Sequence, residues 1–379
     1  MMEAARWIRP GANRANLRGC CVSATAATSL RWQRVRAEPR TCNEQGQVMK
    51  AVRLTPGQGA GGLRIVEEQS RTPRPGEVAI RVRATSLNYR DLLVARGTRG
   101  AVIPLSDGAG EVVAIGADVH GISVGDRVAG CFFPYWLDGD ATAAYVRDAL
   151  GGAIDGMLAE EVVLRGDAVV KLPDYMTYEE AATLPCAALT AWNAMFVQAK
   201  LVPGQSVLLL GTGGVSIAGL QLGQMAGVRT LITSSSEAKL DKARALGADV
   251  TINYQEREDW DAAVMEATDG RGVDLVLEVA GTATFARSMA ATRFGGHVVL
   301  IGALAHEGGD PGTAPMVGRN IRATRIYVGS RAMFEDMNRA LAQRQVHPVI
   351  SRVFEFEDSA AAYQYLESQE HFGKVVIRV

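Results

Sequence analysis

A glycine-rich turn follows a buried strand in the middle of the chain. Residues 206–216 read Ser-Val-Leu-Leu-Leu-Gly-Thr-Gly-Gly-Val-Ser, and an apolar helix follows over Ile217 to Ala226. Glycines allow a tight turn and bare N–H groups at the positive end of a helix, where phosphate binds. Ser216 stands at the third motif position, usually a glycine, and is the next smallest residue. The alternative is a glycine-rich turn without a ligand. The spacing favours a dinucleotide pyrophosphate site made by Gly211, Gly213, Gly214 and Val215.

The end of the next strand distinguishes NADP(H) from NAD(H). In an NAD-selective site, an acidic residue about 20 positions past the glycines accepts hydrogen bonds from the ribose. Here Ser234 stands at that position, followed by Ser235 and Lys239. Hydroxyls and an ammonium bind a 2′-phosphate, which a carboxylate would repel, so we expect NADP(H). Ser234 and Glu237 also match a capping box that opens a helix over Ala238 to Leu246, and both interpretations can hold together.

Hydrophobic periodicity changes near Pro173. Before it, short alternating runs are separated by Gly, Pro and Asp, which is typical of a compact, largely antiparallel barrel. After it, apolar strands alternate with helical stretches, as in a doubly wound α/β domain. The predicted parallel strands are Val207–Leu210, Thr230–Thr233, Val250–Ile252, Leu275–Val279 and Val298–Ile301. We expect the last strand, Val375–Val379, to return to the sheet of the first domain.

Composition excludes several classes of protein. The chain is 47% hydrophobic and 21% charged, without an apolar run long enough to suggest a membrane span. Residues 49–379 hold 32 basic and 38 acidic residues, a balance that repels phosphate backbones, so neither nucleic acid nor membrane is an expected partner. Cys131 and Cys186 are the cysteines of this part, and they form no CxxC motif. A disulfide framework is therefore not expected, and the protein is expected in a reducing compartment.

Residues 1–48 form a leader with eight arginines and three glutamates. This acid-poor composition is typical of a transit peptide. Because Met49-Lys50-Ala51-Val52 opens directly into an alternating strand, we prefer the interpretation that the leader is translated from a wrongly chosen start. Disorder is expected in either case. The expected location is the cytoplasm, or the mitochondrial matrix if the leader is a genuine transit peptide.

Three further stretches extend the pattern: Asp107-Gly108-Ala109-Gly110-Glu111-Val112-Val113, Leu184-Pro185-Cys186-Ala187-Ala188-Leu189-Thr190-Ala191-Trp192, and Ala245-Leu246-Gly247-Ala248-Asp249. With the glycine turn, they resemble the medium-chain dehydrogenase/reductase superfamily, in its zinc-free quinone oxidoreductase-like branch. The resemblance spans residues 49–379. It implies an α/β fold with a GroES-like antiparallel barrel over 49–175, a Rossmann NADP-binding domain over 176–326, and a C-terminal return to the first domain over 327–379. It also implies a homodimer.

Zinc-dependent members carry Cys, a His-Glu pair and a second Cys at positions matched here by Asn88, Ser106-Asp107 and Cys186. Of the side chains at these four positions, only the Cys186 thiol and the Asp107 carboxylate can bind zinc, whereas catalytic zinc requires three protein ligands. The one histidine of the first domain, His120, lies in a predicted turn between strands. We therefore expect no zinc, and we expect Cys186 to pack as a small apolar residue.

The segment Ser86-Leu87-Asn88-Tyr89-Arg90-Asp91 resembles the nicotinamide-side turn of the family. We predict Tyr89 as the proton or hydrogen-bond donor, with Asn88 and Asp91 positioning cofactor and substrate. The structural alternative is that Tyr89 packs and Arg90 forms an ordinary ion pair with Asp91. The resemblance also implies Thr190, Tyr254 and Lys374 as cofactor-binding residues. Val279, Gly302 and Ala303 are further candidates because they end strands at the carboxyl edge, where such sheets bind ligands.

Without a metal to polarise an alcohol or aldehyde, we expect an acceptor that is already activated, such as an enone, a quinone or an enoyl thioester. Residues 131–157 either form aromatic walls for such a substrate or pack on the barrel. The first function hypothesis is NADPH-dependent reduction of an activated alkene or quinone. The second is an alcohol or carbonyl dehydrogenase of the same fold, and the third is a noncatalytic NADPH-binding protein.

Overall fold

The computed structural model describes residues 47–97, 100–302 and 314–379, except the side chains of Ala314 and Pro315. The leader up to residue 46 and the predicted cofactor residue Ala303 lie outside the described residues. Within them, no helix is long and apolar enough to cross a membrane.

The strands alternate between hairpins in the first part of the chain and strand-helix units in the second. They are β1 (Val48–Leu54), β2 (Leu63–Gln69), β3 (Glu77–Leu87), β4 (Asp107–Ile115), β5 (Arg127–Gly130), β6 (Glu161–Arg165), β7 (Val169–Lys171), β8 (Ser206–Leu209), β9 (Arg229–Ser234), β10 (Val250–Asn253), β11 (Val273–Glu278), β12 (Thr292–Leu300), β13 (Arg322–Arg325), β14 (Ile350–Glu355) and β15 (Lys374–Arg378).

The α-helices are α1 (Tyr89–Arg96), α2 (Ala143–Val146), α3 (Tyr178–Ala181), α4 (Leu189–Trp192), α5 (Gly214–Ala226), α6 (Glu237–Ala245), α7 (Trp260–Ala267), α8 (Thr282–Ala291), α9 (Ala314–Arg319), α10 (Arg331–Arg344) and α11 (Ser359–Glu367). Two π-helical stretches, Leu184–Ala188 and Asn193–Gln198, flank α4. Such widened turns occur often at functional sites.

The first part of the chain, with β14 and β15, forms largely antiparallel sheets. β1 pairs with β2, and a larger sheet of the described residues has the order β14-β15-β3-β4-β5-β7, with β6 also pairing with β3. Buried apolar side chains from these strands, including Val52, Ile80 and Val112, form one core cluster. This arrangement confirms the predicted antiparallel domain, whose sheet carries α1 and the Asn88 turn at one end.

The second part of the chain forms a parallel sheet with the order β10-β9-β8-β11-β12-β13 in the described residues. All four residues of β8 are buried, as expected for a strand covered by helices on both faces. The strand order reverses between β8 and β11, where doubly wound sheets bind ligands at the carboxyl ends of their strands. The predicted α/β fold is confirmed, with the edge strand β13 added to the predicted strands.

The last strand connects the two parts. β15 pairs antiparallel with β3 and parallel with β14, and Val375 lies opposite Leu87. Just before β15, Gly373 forms a bridge with Gly213 of the glycine turn. The C-terminal segment therefore lies between the glycine turn and the Asn88 turn.

Residues 131–157 are held mainly by packing. Phe132, Phe133 and Trp136 are each 5% exposed or less, whereas Tyr135 is exposed. The carbonyl of Trp136 accepts a hydrogen bond from the N–H of Arg331, at the start of α10. The packing interpretation therefore describes Phe132, Phe133 and Trp136, and the partly buried Tyr145 packs against the same core.

Candidate active site

The glycine turn leaves backbone donors at the start of α5. Gly211 has a φ of +70°, which glycine adopts without strain, and its N–H donates to Thr233 Oγ1 at 3.2 Å. Gly213 caps the helix, and the first N–H groups of a helix have no acceptor within it. These N–H groups and the positive end of α5 fit the pyrophosphate of a dinucleotide. Ser216 is accommodated because its hydroxyl donates to Leu210 O at 2.6 Å.

Gly214 has a second role that the sequence motif does not reveal. A Cβ atom at this position would lie 2.7 Å from Lys374 Cδ and 3.2 Å from Ala187 Cβ. The absence of a side chain therefore lets the Lys374 stem cross the start of α5. Ala187, Gly214, Gly373 and Lys374 line one narrow cleft.

Lys374 carries a buried ammonium group, with its side chain 7% exposed. Its Nζ donates to Leu87 O and to Asn88 Oδ1, both at 2.6 Å, and lies 3.5 Å from Asp107 Oδ2. Asp107 also accepts hydrogen bonds from the Ser106 hydroxyl and the Cys186 N–H. A buried charge needs partners of this kind, and each of these contacts contributes to holding the ammonium.

Asp91 positions Asn88. Its Oδ2 accepts the Asn88 N–H at 2.7 Å, at the beginning of α1. Burial raises the pKa of Asp91 to about 6, opposed by the charge of Arg90, and its Oδ1 has no hydrogen-bond partner among the described residues. Lys374, Asn88 and Asp91 are thus brought together as one chain of hydrogen bonds.

Arg90 mainly contacts residues 131–157. Its Nη1 donates to Leu150 O at 2.9 Å and its guanidinium carbon lies 4.7 Å from the centre of the Phe132 ring. The distance from Nη1 to Asp91 Oδ1 is longer, at 3.7 Å. The predicted Arg90–Asp91 ion pair is therefore a secondary contact. Tyr89 is half-buried, and its hydroxyl has no hydrogen bond to the described residues.

The residues at the zinc-ligand positions do not fit a catalytic zinc ion. Asn88 Oδ1 and Asp107 Oδ2 face the Lys374 ammonium. Burial and the Asp107 charge raise the pKa of the Cys186 thiol. In the described part of the chain, no group of three or more His, Cys, Asp and Glu residues is placed to hold a metal ion.

The predicted 2′-phosphate residues lie at the end of β9 and on α6. Ser234 is 3% exposed and Ser235 is exposed. Lys239 Nζ donates to Gln369 O at 2.5 Å, and Tyr254 is 37% exposed, with its N–H bonded to Ser234 O. The capping-box prediction for Ser234 is wrong: Ser236 is the N-cap of α6, and Ser234 Oγ accepts the Ser236 N–H instead.

Three more predicted cofactor residues lie elsewhere in the second part of the chain. Two of them lie at the carboxyl ends of the parallel strands, and the third lies on α4. Val279 and Gly302 follow β11 and β12, and Thr190 is buried on α4. Among the described residues, Thr190 forms no hydrogen bond with Lys374 or Asn88.

The sequence interpretation missed Glu278. This fully buried carboxylate accepts the N–H groups of Ala280 and Gly281, both at 2.9 Å, and so fixes the turn after Val279. The signal was an acidic residue directly after the apolar run of β11.

A larger cavity, of about 650 Å³, lies at the C-terminal end of α5 and shares Gln221 and Val346 with the narrow cleft. Its lining includes Pro203, Gln221, Met225 and Val346, with Arg344 as its ionisable residue. It lacks the convergent polar groups of a reaction site.

Comparisons with known proteins agree with the two-part fold. Residues 74–174 match the alcohol dehydrogenase GroES-like domain, and residues 214–343 match the zinc-binding dehydrogenase family. A zinc-type alcohol dehydrogenase-like protein of Schizosaccharomyces pombe is 42% identical over 316 residues, covering 80% of this chain and 91% of the relative. Acryloyl-coenzyme A reductase of Metallosphaera sedula is 27% identical, covering 83% and 96% of the two chains.

A solved structure described as an NAD-dependent alcohol dehydrogenase is also similar. It has a TM-score of 0.80 at 30% identity, and the match covers 87% of this chain and 100% of that chain. The family matches, the 42% identity and the observed fold agree with one another. The chain belongs to the medium-chain dehydrogenase/reductase superfamily and is an NAD(P)H-dependent oxidoreductase.

Proposed function

We propose that this protein reduces activated alkenes or quinones with NADPH and without a catalytic metal, as members of the zinc-free quinone oxidoreductase-like branch do. The observation that carries the proposal is the contact of Lys374 Nζ with Asn88 Oδ1 and Asp107 Oδ2. Two of the positions that would hold zinc already serve an ammonium group. An enone, quinone or enoyl thioester suits this site because it accepts hydride at carbon while negative charge spreads onto oxygen.

NADPH would supply the hydride when bound. The free N–H groups at the start of α5 would hold its pyrophosphate. The donors of Lys374 face Leu87 O, Asn88 Oδ1 and Asp107 Oδ2, so this ammonium fixes Asn88 and provides positive charge. The Tyr89 hydroxyl, free of partners in the described residues, would donate a proton or hydrogen bond to the acceptor.

Preference for NADP(H) over NAD(H) is part of the proposal. Ser234, Ser235, Lys239 and Tyr254 place no carboxylate of their own at the 2′-phosphate position. Lys239 donates to the neutral carbonyl of Gln369, and exchanging this acceptor for a phosphate would give a stronger, charge-assisted hydrogen bond. The NAD-dependent relative makes the NADPH/NADH affinity ratio the relevant measurement.

Acryloyl-coenzyme A reductase, named among the relatives, supports an activated alkene as substrate. The alcohol dehydrogenases named beside it support the second candidate, an alcohol or carbonyl dehydrogenase. We propose a homodimer in either case, and light scattering would give twice the chain mass of 40.4 kDa.

The test is NADPH oxidation with enones, quinones, enoyl thioesters and aldehydes, before and after treatment with a chelator. The proposal predicts turnover of the first three classes at unchanged rate after chelation. Aldehyde turnover that is lost on chelation and restored by zinc would support the second candidate instead. NADPH binding without turnover of any acceptor would support a noncatalytic role.

A further inference from the structure

The C-terminal segment places an unassigned histidine against the glycine turn. The Gly373 N–H donates to Thr212 O at 3.1 Å, and Gly373 forms a bridge with Gly213. Because His371 lies two residues before Gly373, its side chain is held beside the turn.

The space in front of Gly213 is bordered by the His371 ring. A Cβ atom built at Gly213 would lie 3.9 Å from His371 Nε2. Apart from Gly213 and its two chain neighbours, the described residues place no other heavy atom within 4 Å of that point. This opening is where a dinucleotide pyrophosphate would approach the start of α5. A ring nitrogen at its border is within reach of a phosphate oxygen placed there.

The other ring nitrogen determines the tautomer. His371 Nδ1 is fully buried and has no hydrogen-bond partner among the described residues. A proton on Nδ1 would leave a buried N–H donor without an acceptor. An unprotonated Nδ1, which carries only a lone pair, costs less free energy when it is buried without a partner. We therefore assign the proton of the neutral ring to Nε2, the nitrogen nearest to Gly213.

Burial and the surrounding charges favour the neutral form of the His371 ring. Lys239 and Lys242 lie on α6, Lys374 begins β15, and Glu370 is the preceding residue of the same turn. Burial, with the charges of Lys239 and Lys374, lowers the pKa of His371 to about 4. A neutral imidazole remains a hydrogen-bond donor through Nε2, while the lysines attract the anion.

We propose that His371 is a pyrophosphate-binding residue, which donates a hydrogen bond from Nε2 to a phosphate oxygen in front of Gly213. This inference rests on the proposed dinucleotide function. It separates two parts of the cofactor: His371 serves the pyrophosphate, common to NADPH and NADH, whereas Lys239 serves the 2′-phosphate of NADPH.

The test compares dissociation constants for NADPH and NADH, measured by calorimetry with the full chain. His371→Leu removes the donor, and His371→Gln keeps a donor of similar reach. We expect His371→Leu to weaken both cofactors about tenfold and by the same factor, as for a hydrogen bond to a charged group. His371→Gln should remain within about threefold of wild type. His371→Met serves as a second donor-free variant if His371→Leu does not fold.

Each other outcome overturns the inference. Unchanged affinity in the donor-free variants would remove the hydrogen bond, and equal weakening by Gln and Leu would indicate a packing role. A loss confined to NADPH would place His371 at the 2′-phosphate. Wild-type protein that binds neither cofactor would overturn the proposed function as well, which distinguishes that failure from the others.

Discussion

Lys374 Nζ lies 3.5 Å from Asp107 Oδ2, and the two side chains are 7% and 0% exposed. Lys374 begins the last strand and Asp107 begins β4, so this buried pair connects the end of the chain to the antiparallel sheet. The same ammonium contacts Asn88 and passes over Gly214. One lysine thus touches both parts of the candidate active site.

We expect Lys374→Met to lower the free energy of unfolding by about 3–5 kcal/mol, because it leaves the Asp107 carboxylate buried without its cation. Urea unfolding measures this loss. The control is Lys171→Met, which breaks the pair with Asp126, whose side chains are 54% and 24% exposed. That change should stay below about 1 kcal/mol. Equal losses in the two variants would show that the Lys374–Asp107 pair contributes no more to the free energy of unfolding than an exposed ion pair.

Tyr89→Phe should lower kcat roughly a hundredfold or more if its hydroxyl donates to the acceptor, since general acid catalysis contributes about that much. The dissociation constant for NADPH should not change, because the ring remains. Tyr135→Phe removes a hydroxyl from an exposed ring near Arg165 and is the matched control. A wild-type kcat in Tyr89→Phe would assign the residue to packing.

Lys239→Met should weaken NADPH about tenfold and leave NADH almost unchanged, because a charge-assisted bond to the 2′-phosphate is lost. Fluorescence titration with each cofactor measures the two constants, and NADH is the internal control. Equal weakening of both would instead indicate that the Lys239–Gln369 contact holds the C-terminal segment in place.

His297 gives the stability of the protein a pH dependence. It is 3% exposed, and burial with the charge of Arg322 lowers its pKa to about 4. Between about pH 6.5 and pH 4 the unfolded chain binds a proton that the folded chain does not, so stability falls as the pH falls. His297→Gln should reduce the loss between pH 7 and pH 5 by roughly 1–2 kcal/mol.

Urea unfolding of wild type and His297→Gln at the two pH values gives this difference. His371 contributes with the same sign, and Asp91, whose pKa is raised, contributes with the opposite sign. Both are present in the two proteins, so they cancel in the comparison. Parallel pH profiles would exclude His297 as a contributor.

Local patterns predict most of the fold because buried strands and glycine turns have strong sequence signals. They do not predict β13, whose residues Arg-Ala-Thr-Arg contain no apolar run. This strand lies at the edge of the parallel sheet, where backbone pairing with β12 places a polar sequence. The predicted N-cap of α6 is Ser234, whereas the structure has Ser236 at this position, without a capping hydrogen bond from its hydroxyl.

The candidate site is less predictable, because its contacts join distant residues. Asn88 and Lys374 are each recognisable in the sequence, but they are 286 positions apart, and only the pairing of β15 with β3 brings them together. The placement of His371 depends on the same pairing. Phe132 and Phe133 lie in the core cluster and contact the Arg90 and Tyr327 side chains, which no local pattern contains.

The most direct test of metal-free hydride transfer uses NADPH that carries deuterium at the transferred position. The protein is treated with a chelator, and its remaining zinc content is measured. It is then incubated with the deuterated NADPH and an enone, and mass spectrometry locates the label in the product. We expect deuterium to appear at the β-carbon at the same rate as in untreated protein. Loss of transfer on chelation, with recovery on addition of zinc, would contradict it.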